Sequence, residues 1–390
     1  MSSVLVIGGG PAGMMAALAA AEAGAKVRIL ERNENVGKKL LMTGSGKCNY
    51  SNNDMGSDFY NFDEKHEFSS LIDRYNPKWL ETFFYERGML TGEKGTLLYP
   101  KSEKAETVRD FFLDLLKEKN VEMIFGKKAI GAQKENNSFL VELDDKSVLR
   151  ADSVIIATGG KACPQTGSDG AGYRLARAFG HTVTYTYPGL TRLLTEDKEV
   201  LKASGLRVKG KVTAVVNDKK VAEEEGEIQF TDKGLSGICI YKLSRYMSKE
   251  LENNDKCEII IDFCPEMSVL ELGDYFKKIK TRRPGINEKT ILEEIFGKKC
   301  AALLTAKSSD TINAVKEMSV RISMHDSFND AQVTIGGVST TEVSKTMESK
   351  LIDGLYFAGE VLDVDGTCGG YNLHFAFASG YEAGLNAAQR

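Results

Sequence analysis

"SVLVIGGGPAGMMAALAAAEAGAKVRILER", Ser3–Arg32, decides the fold. Val4 to Ile7 is a continuous apolar, β-branched run, the pattern of a parallel strand buried on both faces. Gly8, Gly10 and Gly13 follow in GxGxxG spacing. The first glycine allows the tight turn. The second lets a pyrophosphate approach the backbone, and the third lets the helix pack closely on the strand. Pro11 opens the helix, where no N–H partner is needed. The helix runs on alanine to Ala23 and stops at Gly24. A second strand, Lys26 to Leu30, ends in Glu31, 18 residues past Gly13 and placed to accept from both ribose hydroxyls. A carboxylate there disfavours a 2′-phosphate. Strand, turn, helix and acid in this order predict a dinucleotide site. The bland reading, a glycine turn in a non-binding βαβ unit, leaves the acid unexplained.

Working outward, "SVIIATGG" (Ser153–Gly160) is another buried strand, ending in Thr158-Gly159-Gly160. "LLMTGSGKCNYSNN" (Leu40–Asn53) is a glycine-rich loop too specialised for an ordinary turn. "TIGGVSTTEV" (Thr334–Val343) precedes a final strand, Gly-Glu turn and glycine-started helix in Leu351–Gly384. These segments resemble the two-dinucleotide-fold flavoproteins. More closely, "GKKLLMTGSGKCNYSN", "GEIQFTDKGLSG" and "GLYFAGEVLDVDGTCGGYNLHFAFASG" resemble the bacterial FAD-binding family of BaiN-like proteins and aminoacetone oxidase. The resemblance spans nearly the whole chain.

The resemblance implies non-covalent FAD. It assigns Gly8, Gly10, Ala12 and Gly13 to the pyrophosphate, Glu31 to the adenosine ribose, and Arg32 to a place beside the adenine. Lys39, Leu40, Thr43, Gly44 and Asn49 are expected along the ribityl chain and ring. A strand over Val121 to Ala129 is expected to contact adenine, at Ala129. The Thr158-Gly159 turn is counted with the cofactor contacts. Gly359, Glu360, Gly370, Asn372 and Leu373 are expected at the phosphate and the pyrimidine edge of the flavin. The loop Thr43–Asn49 is then the one lying against the flat ring. "TGSDGAGYRLARAFGH" (Thr166–His181) and the Thr334-x-Gly336-Gly337 element are similar to segments of fumarate-reductase-like flavoproteins, and both are expected at the ring face.

The fold expected is α/β, a Rossmann-like FAD domain over 1–184 and 328–390. An inserted substrate domain occupies 185–327, with a β-rich, barrel-like part over 185–266 and a helical part over 267–327. In the first part valines and isoleucines alternate with charged residues, which suits a half-exposed sheet. The second holds "ELGDYFKKIKTRR", "EKTILEEIFGKKCAALL" and "DTINAVKEMSVRIS", all read as helices.

The 390 residues are 42% hydrophobic and 27% charged, with net charge −4, so bulk charge recruits neither nucleic acid nor an anionic membrane. A small-molecule substrate is expected instead. Seven cysteines without CxxC spacing indicate neither a zinc site nor a disulfide framework. No apolar run reaches the ~20 residues of a membrane span. Together with a strand that starts almost at Met1, this gives the expectation of a cytoplasmic protein.

Bound flavin would supply the redox chemistry, so few protein groups need react. His374, beside Asn372, is a candidate proton donor, against a packed helix-start histidine. Tyr371 is a second candidate. Cys48 in the ring loop is a third, as a redox partner of the flavin with Cys163 or Cys368, against a buried packing cysteine, the default. His66, His181 and His325 are scattered and read as structural, and no metal site is expected. No second GxGxxG follows a strand, so NAD(P)H would dock transiently over the ring, in a cleft between domains. Three functions compete. One is an NAD(P)H-dependent reductase of an activated C=C bond in an enone or steroid-like substrate. Another is an amine or aminoketone oxidase producing hydrogen peroxide. The last is a non-catalytic, FAD-stabilised binding protein.

Overall fold

A computed structural model describes residues 2–62 and 65–390, with the side chains of 65–67, and so His66, outside that description. The chain divides into two compact units, Met1–Thr186 with Val333–Arg390, and Tyr187–Gln332.

The first unit is built on a five-stranded, all-parallel sheet. Its order is Leu355–Phe357, Ser153–Ile156, Ser3–Ile7, Lys26–Leu30, Glu122–Ile124. The strands Ser3–Ile7 and Ser153–Ile156 are apolar after their first serine because both faces are covered. The fingerprint helix, Pro11–Glu22, is buried from Ala12 to Ala20. Against it lies the C-terminal helix, Tyr371–Ala388. Two glycines set how near they come: a Cβ on Gly380 would stand 2.4 Å from the Ala12 carbonyl oxygen, and one on Gly384 2.2 Å from that of Ala16. The strand expected over 121–129 is two pieces. Gly126, at φ 66°, breaks it, and Ala129–Glu135 starts an antiparallel meander with Ser138–Leu143 and Val148–Ala151.

The second unit carries a seven-stranded antiparallel sheet. Its order is Met318–Ile322, Cys257–Asp262, Arg207–Val216, Lys219–Phe230, Gly234–Ser236, Leu193–Leu194, Met324–His325. Two readings need correction. The segment expected to be β-rich contains the 15-residue helix Ile238–Glu252, whose buried Ile240, Leu243, Met247 and Leu251 recur at helical spacing. The segment "DTINAVKEMSVRIS" is a short helix, Thr311–Lys316, followed by the edge strand Met318–Ile322. Its alternation of buried Met318, Val320 and Ile322 with exposed Ser319 and Arg321 is the period of a strand.

Candidate functional site

The glycine turn has the geometry its spacing predicts. Gly8 is left-handed at φ 108°, its N–H donates to the Leu30 carbonyl at 2.8 Å, and a Cβ there would come within 2.5 Å of the Ala157 oxygen. A Cβ on Gly13 would stand 1.9 Å from the Gly8 oxygen, so helix and turn touch through backbone. Gly10 is different: a Cβ there meets no atom within 4 Å. Its hydrogens face open space at the start of a helix that no side chain caps. Gly359 closes the turn from the other side, with its Cβ position 2.8 Å from that of Ala12. Thr158 and Gly159 follow the neighbouring strand, and Gly159, at φ 71°, lies against Ser168.

At the end of the second strand Glu31 is buried and fixed from three directions. Its Oε2 accepts from the Gly9 N–H at 2.7 Å, and its Oε1 accepts from the Asn33 N–H at 2.9 Å and from Asn33 Nδ2 at 2.7 Å. Arg32 is turned towards Asp169: its Nη1 is 2.6 Å from Asp169 Oδ2. Ala129 is buried at the head of the meander, opposite Leu143, next to Lys128, whose Nζ also reaches Asp169 at 3.1 Å. The loop Thr166–Gly170, expected at the ring face, is docked beside Glu31 on the end of the second strand. Asn33 Nδ2 donates to the Thr166 oxygen at 3.0 Å, and Arg32 Nη1 to the Gly167 oxygen at 3.3 Å.

The segments assigned to the flavin side also meet. Lys39 Nζ donates to Glu360 Oε2 at 2.6 Å, while Glu360 Oε1 accepts from the Thr334 N–H at 2.9 Å. Thr334 Oγ1 in turn accepts from the N–H groups of Lys161 and Ala162. Leu40 is buried beneath its loop, and Thr43 Oγ1 donates to the Leu40 oxygen at 2.6 Å. Gly44, Ser45, Gly46 and Cys48 are all left-handed, a backbone path that keeps the loop tight. Asn49, with its amide turned to satisfy both ends, donates to the Leu98 and Ser51 oxygens and accepts from the Gly370 N–H at 3.2 Å. That bond ties the loop to the left-handed Gly370, which starts the C-terminal helix without a side-chain cap. The Asn372 side chain is taken up locally, accepting from the Gly366 N–H and donating to its oxygen, both at 2.8 Å. Leu373 beside it is half-buried.

The three candidate reacting groups are held within the protein, as in the packed alternatives to the proton-donor and redox readings. Burial holds His374 down to about 4, so the ring is neutral. Its Nδ1 accepts from Ser51 Oγ at 2.8 Å and its Nε2 donates to the Tyr75 oxygen at 2.7 Å, leaving no nitrogen for a substrate. The Tyr371 hydroxyl donates to the Asp54 oxygen at 2.8 Å, its ring stacks on Phe59, and burial pushes it up to about 12. Burial likewise pushes the Cys48 thiol up to about 12, the setting of a packing cysteine. All seven cysteines are free thiols. His181 and His325 are held internally. The first donates from Nδ1 to Glu342 and accepts at Nε2 from Ser349 Oγ, and that oxygen already accepts the Leu351 and Ile352 N–H groups, so the row is a clasp. His325 Nδ1 donates to the Asp326 oxygen at 2.9 Å. Among the described residues no cluster of three metal-ligating side chains occurs, and no helix is long and apolar enough to cross a membrane.

FAD fits these residues. The open space at Gly10 suits a pyrophosphate on backbone N–H groups, the fixed Glu31 carboxylate suits a ribose, and two uncapped helix starts suit anionic groups. Such a fold and site define an FAD-dependent oxidoreductase. The chain belongs to the HI0933-like family, whose Rossmann-domain model matches residues 2–386. The resemblance to BaiN-like flavoproteins holds along the whole chain. The 3-dehydro-bile acid delta(4,6)-reductase of Clostridium scindens is 36% identical over 409 residues, covering 100% of both chains. The ribosomal RNA dihydrouridine synthase of Escherichia coli is 27% identical over 97% of this chain and 96% of its own. Among solved structures, the 3-ketosteroid delta1-dehydrogenase of Sterolibacterium denitrificans superposes over 100% of both chains, with TM-score 0.56 and 11% identity, which shows a shared fold.

Proposed function

We propose that this chain is an FAD-dependent reductase of a C=C bond conjugated to a carbonyl, in a steroid-like enone, with NADH or NADPH as donor. The observation that carries the proposal is the full-length, 36% identical relative named for reducing such a dienone acid. FAD held here would, once reduced by the nicotinamide, supply the hydride for the conjugated C=C bond. The chain's own work is placement: Gly10 admits the pyrophosphate, Glu31 receives the ribose, and the Lys39–Glu360–Thr334 row holds the flavin-side segments together. The proton for the neighbouring carbon comes from neither His374 nor Tyr371, whose polar atoms are already engaged.

A second reading is favoured by the Escherichia coli relative, named for making dihydrouridine in ribosomal RNA. The uracil C5=C6 bond is conjugated to the C4 carbonyl, so this is the same addition on a different carrier. Anaerobic mixing with NADH or NADPH tests the donor. Bleaching of the flavin band within seconds is expected. Indifference to both, with bleaching by an amine and peroxide release in air, would overturn the reductase in favour of the oxidase.

A further inference from the structure

Asp169 is the one acid of the loop Thr166–Gly170, and it gathers three partners. Its Oδ1 accepts from the Ala171 N–H at 3.1 Å, at the start of the helix Ala171–Ala178. Its Oδ2 takes two cations, Arg32 from the end of the second strand at 2.6 Å and Lys128 from the head of the meander at 3.1 Å. The side chains are about one-third exposed or less, 30% for Asp169, 35% for Arg32 and 27% for Lys128, so the attraction is only partly screened. Burial alone would raise the Asp169 carboxyl, but the two cations outweigh it and hold it near 2. Arg32 is the residue after Glu31, the ribose acid, and an arginine near that position is what accommodates a 2′-phosphate in dinucleotide folds. Here its guanidinium is turned onto Asp169 and the Gly167 oxygen.

We infer that Asp169 is a positioning and specificity-determining residue of the adenosine end. It draws Arg32 and Lys128 onto the loop, which walls the ribose site, and offsets one of the two positive charges that would otherwise welcome a 2′-phosphorylated adenosine. The inference rests on the FAD reading. It adds a second barrier to a 2′-phosphate beside the Glu31 carboxylate.

The test is equilibrium binding to apoprotein, with FAD, 5′-ADP and 2′,5′-ADP as probes. Asp169→Asn should weaken FAD about tenfold. It should also shift the ratio of 2′,5′-ADP to 5′-ADP affinity about tenfold towards the phosphorylated probe. Asp169→Glu should restore part of both. Adding Arg32→Gln to Asp169→Asn should abolish the ratio shift, a readout that does not depend on how stable the single variant is. An unchanged FAD affinity and ratio would overturn the inference. So would an equal weakening of both ADP probes with a lowered Tm, the mark of a purely structural role. Wild-type protein that fails to bind FAD would instead remove the cofactor reading beneath it, as would Glu31→Ala binding FAD normally.

Discussion

Gly8, Gly10 and Gly13 share one motif but answer to different constraints. The first and third are glycine because neighbouring backbone would meet a side chain, at 2.5 and 1.9 Å. Gly10 has nothing around it, and its φ of −78° is open to any residue. Gly10→Val should therefore fold with a Tm close to wild type yet come off the column colourless, because its side chain occupies the pyrophosphate position. A yellow, FAD-saturated Gly10→Val protein would refute the placement. The spacing of these glycines and of Glu31 was legible in the sequence because each follows from local backbone needs. The partners of Arg32 and Asn33 were not. Asp169 and Thr166 lie more than 130 positions further along the chain, and only the tertiary fold brings them near. The partners of His374 were hidden for a related reason. Its place beside Asn372 was visible, but Ser51 and Tyr75, which take its two nitrogens, come from remote segments.

Among elements, the pairing of the fingerprint and C-terminal helices is the strongest constraint on the site, since it sets Gly359 over Ala12. It depends on small residues. Gly384→Ala gains about 1 kcal/mol of helix propensity. It also drives a methyl to 2.2 Å from a backbone oxygen that cannot yield without parting the helices. Overpacking of this kind costs roughly 2–3 kcal/mol and outweighs the gain. Thermal unfolding should show a lower Tm for Gly384→Ala. Gly273, within the helix Val269–Arg282, has no atom within 4 Å of its Cβ position, so Gly273→Ala should raise the Tm. The reverse order of the two variants would contradict the packing account. Strong periodicity made the long helices legible. The strand Met318–Ile322 was lost because a six-residue helix precedes it, and the two periods run together in a short window.

For the whole molecule, buried groups tie stability to pH. His374 has a folded value of about 4 against 6.5 when free, so the unfolded chain binds more protons between them. Stability from this group is full above pH 6.5 and is lost as the pH falls towards 4, by roughly 3 kcal/mol. Urea unfolding of the apoprotein should show that decline, and His374→Gln should flatten it. An identical pH profile in the variant would contradict the neutral, doubly bonded ring. The function proposed at this scale is the reduction of a conjugated C=C bond, and its oxidative half-reaction tests it most directly. The protein is photoreduced without any nicotinamide, and is then mixed anaerobically with a 3-keto-4,6-diene steroid, or with uridine-containing RNA. A C=C reductase should, with one of these acceptors, regain the oxidised flavin band and yield one equivalent of product reduced at one C=C bond. Flavin that stays reduced with both, yet reoxidises promptly in air with peroxide release, would contradict it.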